Sequence, residues 1–269
     1  MKIATLQYKF GILGDFSAFN KKVSSILERC AQENVDLVLF PEYAGLEAGD
    51  SAAYAEVFQK LSEKYGVIIC SGTNVVKTPE GSFNRAYLFS PSRKMGYQDK
   101  CNLTPDEVEE GILQKGNEVK IFATSLGKIG ICVCYDSEFP LFAAQMAQEG
   151  VGLLLVPSFT TSLEGFYRVF VSCRARALEN QFFVVQSSML GLVDKEMTYG
   201  AASICTPIDQ GFPEDGVLKM GRLGEEELVI GDVDLCQLEK VRSKGQTRNF
   251  MDSKRWKSAK IPQALLDLR

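Results

Sequence analysis

The reactive side chains of this sequence follow apolar segments that are typical of buried strands. Cys134 ends the apolar run 129–134 and is followed by a polar cluster and by a helical pattern over 139–149. A corner from strand to helix holds a side chain at the rim of a sheet, where helix N-terminal amides face a bound group. The pattern alone favours a plainer interpretation, in which Cys132 and Cys134 are core thiols, because free cysteine is usually buried.

A carboxylate and an amine stand out from their surroundings. Glu42 follows the apolar segment 35–40 and Pro41, which places it at the carboxyl end of a strand, where open α/β sheets gather their ligands. Burial there would raise its pKa toward the range of a general base, whereas a solvated turn glutamate is the alternative. Lys100 ends a short extended segment and, by itself, would be interpreted as a surface lysine.

The sequence contains no histidine. This excludes Ser-His-Asp and Cys-His mechanisms, imidazole metal sites and histidine proton shuttles. A hydrolase built on this chain would need a carboxylate or an amine as its base. The eight cysteines show no CxxC spacing, which predicts reduced thiols and no structural zinc site.

The composition is that of a soluble globular protein. The chain has 269 residues, of which 45% are hydrophobic and 24% charged, and a net charge of -4 provides no basic field for nucleic acid. No charged leader or long apolar segment opens the sequence, so we expect a cytoplasmic protein with no membrane contact. The locally basic segment 240–260, which contains Trp256, is interpreted as a solvated face or a subunit contact.

The strand-like and helical segments predict sheets covered by helices in a single domain. Strands are expected at 3–8, 35–40, 67–71, 86–90, 129–134, 151–156, 182–187, 201–205 and 228–233. Helices are expected at 18–32, 52–64, 139–149 and 166–180. The long irregular stretches 99–116 and 158–164 are candidate walls of a site, because long loops in compact domains are usually functional.

Four segments of the sequence resemble the nitrilase superfamily, the carbon-nitrogen hydrolases. Residues 40–43 (Phe-Pro-Glu-Tyr) resemble the glutamate motif of the family, and residues 97–100 (Tyr-Gln-Asp-Lys) with 103–107 resemble its lysine motif. Residues 130–140 resemble its cysteine motif, and residues 174–181 are similar to the run that follows that cysteine in many members. The order, spacing and structural context of these segments coincide along nearly the whole chain.

The resemblance implies an α/β fold, a four-layer αββα sandwich of two mixed sheets with helices on the outer faces. It implies one carbon-nitrogen hydrolase domain over residues 1–269. It also implies a homodimer or a higher homo-oligomer, and we expect the C-terminal tail, 250–269, to contribute to a subunit interface.

The chemistry that the resemblance implies uses Cys134 as the nucleophile and Glu42 as the general base. Lys100 and the backbone N–H of Tyr135 would stabilise the oxyanion. A position next to an ammonium and at a helix N-terminus is expected to lower the pKa of Cys134. A further active-site glutamate, which would orient Lys100 or the substrate, is expected at Glu107.

Several alternatives stay open. Glu109 and Glu110 are close enough in sequence to replace Glu107 in that role, and Tyr43, Phe159 and Thr160 are expected near the substrate. Asn102 and Glu138 stand where many members have histidine and arginine, and we expect these changes to affect substrate shape or loop support.

The predicted activity is hydrolysis of a small amide through a cysteine thioester, with no cofactor and no metal. An acyltransferase with the same acyl-enzyme is one alternative to this activity. A catalytically idle binding or scaffold protein is the other.

Overall fold

The computed structural model describes residues 1–193 and 195–254. The strands are β1 (Lys2–Lys9), β2 (Leu37–Leu39), β3 (Ile68–Thr78), β4 (Gly81–Phe89), β5 (Met95–Asp99), β6 (Ile121–Thr124), β7 (Gly127–Ile131), β8 (Leu153–Ser158), β9 (Phe183–Val193), β10 (Glu196–Thr198), β11 (Ser203–Cys205), β12 (Val217–Met220) and β13 (Glu227–Asp232). The α-helices are α1 (Phe16–Gln32), α2 (Ser51–Tyr65), α3 (Pro105–Glu110), α4 (Pro140–Gln148), α5 (Leu163–Asn180), α6 (Leu235–Lys244) and α7 (Asn249–Ser253). Short 3₁₀ helices cover Ala44–Glu47 and Cys134–Glu138.

The strands form two mixed halves that are hydrogen-bonded to each other. Their order is β5-β4-β3-β2-β1-β9-β8-β7-β6, with β13 antiparallel to β1 and with β10 and β11 beside β9. In the first half, β1, β2 and β3 are parallel and β4 and β5 are antiparallel; in the second, β7, β8 and β9 are parallel. The parallel pairing of β1 with β9, from Gln7–Ser188 to Lys9–Leu190, joins the halves.

Alternation along the strands separates two apolar cores. Ile3 and Leu37 pack in one core together with Ile131 and Leu155 of the other half, so this core lies between the sheets and extends to α4 and α5. Neighbouring side chains such as Ala4 point the other way and pack with residues of α1 and α2. Because successive side chains of a strand face opposite sides, each half of the strand arrangement acts as a sheet that buries both of its faces. The predicted four-layer α/β sandwich is confirmed.

The strongly periodic helices are found where they were expected, and their starts are explained by side-chain caps. Asp15, Asp50 and Ser162 accept backbone N–H groups in the first turns of α1, α2 and α5. A cap of this kind stabilises a helix by about 1 kcal/mol. In the segment 99–116, which was expected to be irregular, a capping box and Pro105 begin the short helix α3.

The single-domain organisation stays a prediction. Residues 255–269, which hold Trp256 and most of the proposed interface tail, lie outside the described residues. Within residues 1–193 and 195–254, no helix combines the length and apolar character that crossing a bilayer requires.

Candidate active site

Glu42 lies just beyond β2, at the carboxyl end of a central strand. Its side chain is only 1% exposed, and Oε1 accepts hydrogen bonds from Asn84 Nδ2 at 2.8 Å and from Lys100 Nζ at 2.9 Å. Burial raises the pKa of Glu42, the Lys100 ammonium opposes this rise, and the Glu107 carboxylate adds to it. The structure therefore provides a buried carboxylate with a raised pKa, as the strand position predicted.

Lys100 follows β5 and is 2% exposed, so the surface interpretation of this lysine is wrong. Its backbone N–H donates to the Asn84 carbonyl at 2.9 Å, which carries the β4–β5 pairing one residue further. Its ammonium donates to Glu42 Oε1 and, at 2.8 Å, to Glu107 Oε1. Burial lowers the pKa of Lys100, but the nearby carboxylates outweigh burial and raise it, so the side chain stays an ammonium.

Glu107 lies in the first turn of α3, and this position brings its carboxylate into contact with Lys100. Its Oε2 accepts the Thr104 N–H at 2.8 Å in the capping box, which leaves Oε1 for Lys100 and for the Tyr43 hydroxyl at 2.7 Å. Burial raises the pKa of Glu107, but the Lys100 ammonium and these hydrogen bonds lower it below its ordinary value. Glu109 and Glu110 are exposed.

Cys134 opens the 3₁₀ helix after β7 and is 5% exposed. Its φ of 46° lies in the left-handed region, which is uncommon for a residue with a side chain and marks a tightly constrained corner. Its Sγ lies 3.4 Å from the Phe159 carbonyl oxygen.

The pKa of Cys134 moves in the direction opposite to our expectation. Burial raises it well above its ordinary value of 9.0, the Glu42 carboxylate raises it further, and the Lys100 ammonium only partly compensates. We expected a lowered pKa from the ammonium and the helix N-terminus, but that expectation neglected burial and the carboxylate. Glu42, Lys100, Glu107 and Cys134 thus form one buried group, the four-residue cluster.

A sequence model of the family described as carbon-nitrogen hydrolase matches residues 2–243. The chain belongs to the carbon-nitrogen hydrolase family. The resemblance to the nitrilase superfamily is therefore confirmed.

Known relatives agree with this assignment. The probable hydrolase YhcX of Bacillus subtilis is 30% identical over 276 residues, which cover 95% of this chain but only 54% of that protein, so the chain spans about half of its length. Omega-amidase NIT3 of Saccharomyces cerevisiae is 24% identical, with 90% of each protein covered.

Solved structures share the fold. The crystal structure of Saccharomyces cerevisiae Nit3 matches with a TM-score of 0.78 and 22% identity, over 90% of this chain and 93% of that one. An amidase mutant from Nesterenkonia sp. AN1 matches with a TM-score of 0.75 and 19% identity, over 90% and 94% of the two chains. That structure shows the acetamide moiety of fluoroacetamide added covalently at the active-site cysteine.

The side chains expected near the substrate differ in their contacts with the four-residue cluster. Tyr43 contacts it directly through Glu107, and its ring packs edge-on against Phe159 with centroids 5.4 Å apart. Phe159 contacts Cys134 through its backbone carbonyl. The Thr160 hydroxyl instead donates to the Tyr199 carbonyl at 2.6 Å, and the Tyr135 ring packs against Phe139. Substrate contact by these four residues stays a prediction.

Two residues that build the cluster escaped the sequence analysis. Asn84 lies on β4 and donates to Glu42, but nothing in its strand pattern distinguishes it from any other polar strand residue. Asp136 was visible only as part of the polar group after Cys134, and its carboxylate accepts N–H groups from Val133, Cys101 and Asn102.

Two other features of the surface lie apart from the cluster. A surface depression of about 400 Å³ is lined by Glu138, Tyr167 and Arg168 among others, and one of about 160 Å³ lies between α1 and β13; neither includes a cluster residue.

Across residues 1–193 and 195–254, no three Cys, Asp or Glu side chains are grouped as metal ligands.

Proposed function

We propose that this carbon-nitrogen hydrolase cleaves a small amide through a thioester on Cys134. The observation that carries the proposal is the buried Lys100 ammonium, which is hydrogen-bonded to Glu42 and Glu107 and close enough to Cys134 to offset part of the rise in the pKa of its thiol. This arrangement combines a nucleophile, a base and a fixed positive charge in one site. The covalent addition at the cysteine of the Nesterenkonia amidase supports the same chemistry.

Acylation begins with the protonated thiol, since the raised pKa of Cys134 disfavours a resting thiolate. Glu42 accepts the thiol proton while the sulfur attacks the amide carbon, and the π electrons of the carbonyl move onto its oxygen. Lys100 and the Tyr135 N–H stabilise this oxyanion, at roughly 3 kcal/mol for each well-placed donor. The C–N bond then breaks as Glu42 returns its proton to the nitrogen, which releases ammonia or an amine.

Deacylation repeats these steps with water. Glu42 takes a proton from water, the resulting hydroxide oxygen attacks the thioester carbon, and the same donors stabilise the oxyanion. Collapse breaks the C–S bond, the sulfur regains the proton from Glu42, and a carboxylic acid leaves. The sum is amide plus water giving acid plus amine, and Glu107 keeps Lys100 oriented throughout.

The experiment uses acid quenching and mass spectrometry on the intact chain after mixing with a panel of small amides, together with an assay for released ammonia. We expect an acyl adduct on Cys134 and ammonia release with at least one amide. Cys134→Ala should abolish both, with a loss of roughly 10³-fold or more in kcat. Cys132→Ala is the matched control, because Cys132 is also a buried thiol and lies two residues away, and it should keep wild-type turnover within about threefold.

The same experiment distinguishes the alternatives. An acyl adduct that forms without release of free acid, and disappears only when an amine or alcohol is added, would favour an acyltransferase. Absence of any adduct across the panel, together with a ligand bound equally by wild type and Cys134→Ala, would favour the binding or scaffold protein.

The proposal extends to the surroundings of the enzyme. All eight cysteines are free thiols, which fits the reducing cytoplasm. We further propose a homodimer to which the C-terminal tail contributes. Native mass spectrometry of the chain truncated after Phe250 tests this, since a truncated chain that still forms the dimer would remove the tail from the interface.

A further inference from the structure

The Asp136 carboxylate joins the two segments that carry Lys100 and Cys134. It is 2% exposed, and Oδ2 accepts the N–H groups of Val133 at 3.3 Å and Cys101 at 3.2 Å. Val133 directly precedes Cys134, and Cys101 directly follows Lys100. One carboxylate oxygen therefore holds the residue before the thiol and the residue after the amine.

The other oxygen is held by Asn102 alone, in two ways. Oδ1 accepts the Asn102 backbone N–H at 2.7 Å and its side-chain Nδ2 at 3.0 Å. Asn102 thus holds the loop after Lys100 against Asp136 with both its backbone and its side chain.

All four groups that bond Asp136 are N–H donors, and within the described residues no lysine or arginine forms an ion pair with it. A buried carboxylate that is satisfied by amides from two segments resists their separation, because any gap leaves a buried charge with unmet hydrogen bonds. The Asp136 carboxylate forms no hydrogen bond with any member of the four-residue cluster. Its connection to the chemistry is through the placement of its neighbours.

We propose that Asp136 and Asn102 are positioning residues that fix the Lys100 ammonium relative to the Cys134 sulfur. The inference rests on the proposed function, because it assigns a purpose to the Lys100–Cys134 geometry. Loss of the connection lets the loop after Lys100 drift, and a displacement of about 1 Å at a reacting group can cost roughly 100-fold in rate.

The test compares Asn102→Ala and Asp136→Asn with matched controls. Asn102→Ala deletes one side-chain donor. Asp136→Asn replaces one of the two acceptor oxygens by an NH₂ group, which would face N–H donors. Asn180→Ala is the control for the first, because the Asn180 side chain also donates one hydrogen bond at 3.0 Å, to a backbone carbonyl, and Asn180 is buried where Asn102 is half-buried. Asp209→Asn is the control for the second, because Asp209 is also buried and accepts N–H groups from Gln246 and Thr247.

Two readouts are measured at equal fraction folded. The first is kcat and KM for an amide that the wild type cleaves; we expect kcat to fall roughly tenfold in Asn102→Ala and 100-fold in Asp136→Asn, with KM within about twofold. The second is the rate of Cys134 alkylation by iodoacetamide, resolved by peptide mass spectrometry. A displaced ammonium stabilises the Cys134 thiolate less, and iodoacetamide reacts with the thiolate. A rise of about one unit in the pKa of Cys134 would therefore lower the alkylation rate about tenfold.

The outcomes separate this inference from the proposed function. If the wild type cleaves no amide, the proposed function fails, and the alkylation rates still decide the positioning role. Wild-type kcat and alkylation rates in Asn102→Ala, or losses no larger than those of the controls, would overturn the inference. If Asp136→Asn does not fold, Asn102→Ala against Asn180→Ala decides alone.

Discussion

The ammonium of Lys100 lies between the carboxylates of Glu42 and Glu107 at 2.9 and 2.8 Å, and these side chains are 2%, 1% and 11% exposed. With Cys134 as a thiol, two carboxylates and one ammonium leave a net charge of about -1 in a buried site. Ionisation of the thiol would double that charge, which is costly where water is excluded. The cluster is therefore better suited to moving the cysteine proton during attack than to holding a thiolate at rest.

The raised pKa of Glu42 predicts the acid limb of the pH–rate profile. A general base must be ionised, so kcat/KM should fall as the pH drops through a pKa above the ordinary glutamate value of 4.5. Asn84→Ala removes a donor to the carboxylate and should move this limb to still higher pH. The measurement is kcat/KM from pH 4 to 9 or so, with Asn180→Ala as the control. A limb at or below 4.5 in the wild type would contradict the prediction.

The hydroxyl of Tyr43 can be removed without changing the rest of its side chain. Tyr43→Phe deletes the hydroxyl that donates to Glu107 and keeps the ring contact with Phe159. Because Glu107 then orients Lys100 less firmly, kcat should fall roughly tenfold with KM within about twofold, as expected for loss of a hydrogen bond to a charged group.

Tyr8→Phe is the matched control for this change, since Tyr8 also donates to a buried carboxylate, Glu47 Oε2, at 2.7 Å. It should keep the wild-type kcat. A rise in KM at unchanged kcat in Tyr43→Phe would show instead that the hydroxyl binds substrate.

At the scale of elements, the site is built where regular structure stops. Glu42 follows β2, Lys100 follows β5 and Cys134 follows β7, and the backbone is left-handed at Tyr43 and Cys134, with φ of 62° and 46°. Sharp corners hold these side chains at strand ends without using flexible loops. The neighbouring strands must then leave room for the corners.

Gly72 supplies that room on β3. Its φ is +73°, and an added Cβ would lie 1.9 Å from the Pro41 carbonyl oxygen, next to Glu42. Gly72→Ala should therefore lower the free energy of unfolding by about 4 kcal/mol or more, since backbone strain is joined by a steric clash. It should also lower kcat, because Pro41 and Glu42 must move.

The matched control is Gly66→Ala at the end of α2. Gly66 has a similar φ of +69°, but an added Cβ meets nothing within 4 Å. Strain alone should cost about 1–2 kcal/mol and leave kcat unchanged. Urea unfolding and turnover are measured on both variants. Equal losses of unfolding free energy and of kcat in the two variants would contradict the proposed clash.

At the scale of the whole molecule, a buried arginine adds polar contacts to the apolar packing that holds α6 against the sheet. Arg242 on α6 is 5% exposed, and its guanidinium donates to the carbonyls of Gln181 and Val151, each at 2.7 Å. These carbonyls precede β9 and β8. The arginine thus connects α6 to the starts of two strands of the second half.

Arg242→Leu should destabilise the protein without affecting catalysis. Two buried carbonyls would lose their donors, so we expect the free energy of unfolding to fall by about 3 kcal/mol, while kcat stays within about twofold. Arg222→Leu is the control, because Arg222 also pairs with a glutamate three residues away but is 80% exposed, and it should change stability little. Similar losses in the two variants would contradict the assigned role of Arg242.

The sequence by itself determined the fold class, the family and four of the seven α-helices in the described residues, whereas α3, α6 and α7 were not predicted. Periodic apolar patterns specify which face of a helix or strand is buried, and the motifs at Glu42, Lys100 and Cys134 name residues whose chemistry depends on type and order. The absence of histidine narrowed the base to a carboxylate or an amine. These conclusions rest on local pattern, which a single chain displays directly.

Only the tertiary structure decided which polar groups meet. Asn84 reaches Glu42 and Asp136 reaches Asn102 because strand register and loop paths bring together residues 42 and 34 positions apart. The direction of the Cys134 pKa also needed the fold, since burial and the Glu42 carboxylate outweigh the ammonium that the motif predicted. Hydrogen bonding and desolvation depend on distances in space, and a sequence orders residues without giving those distances.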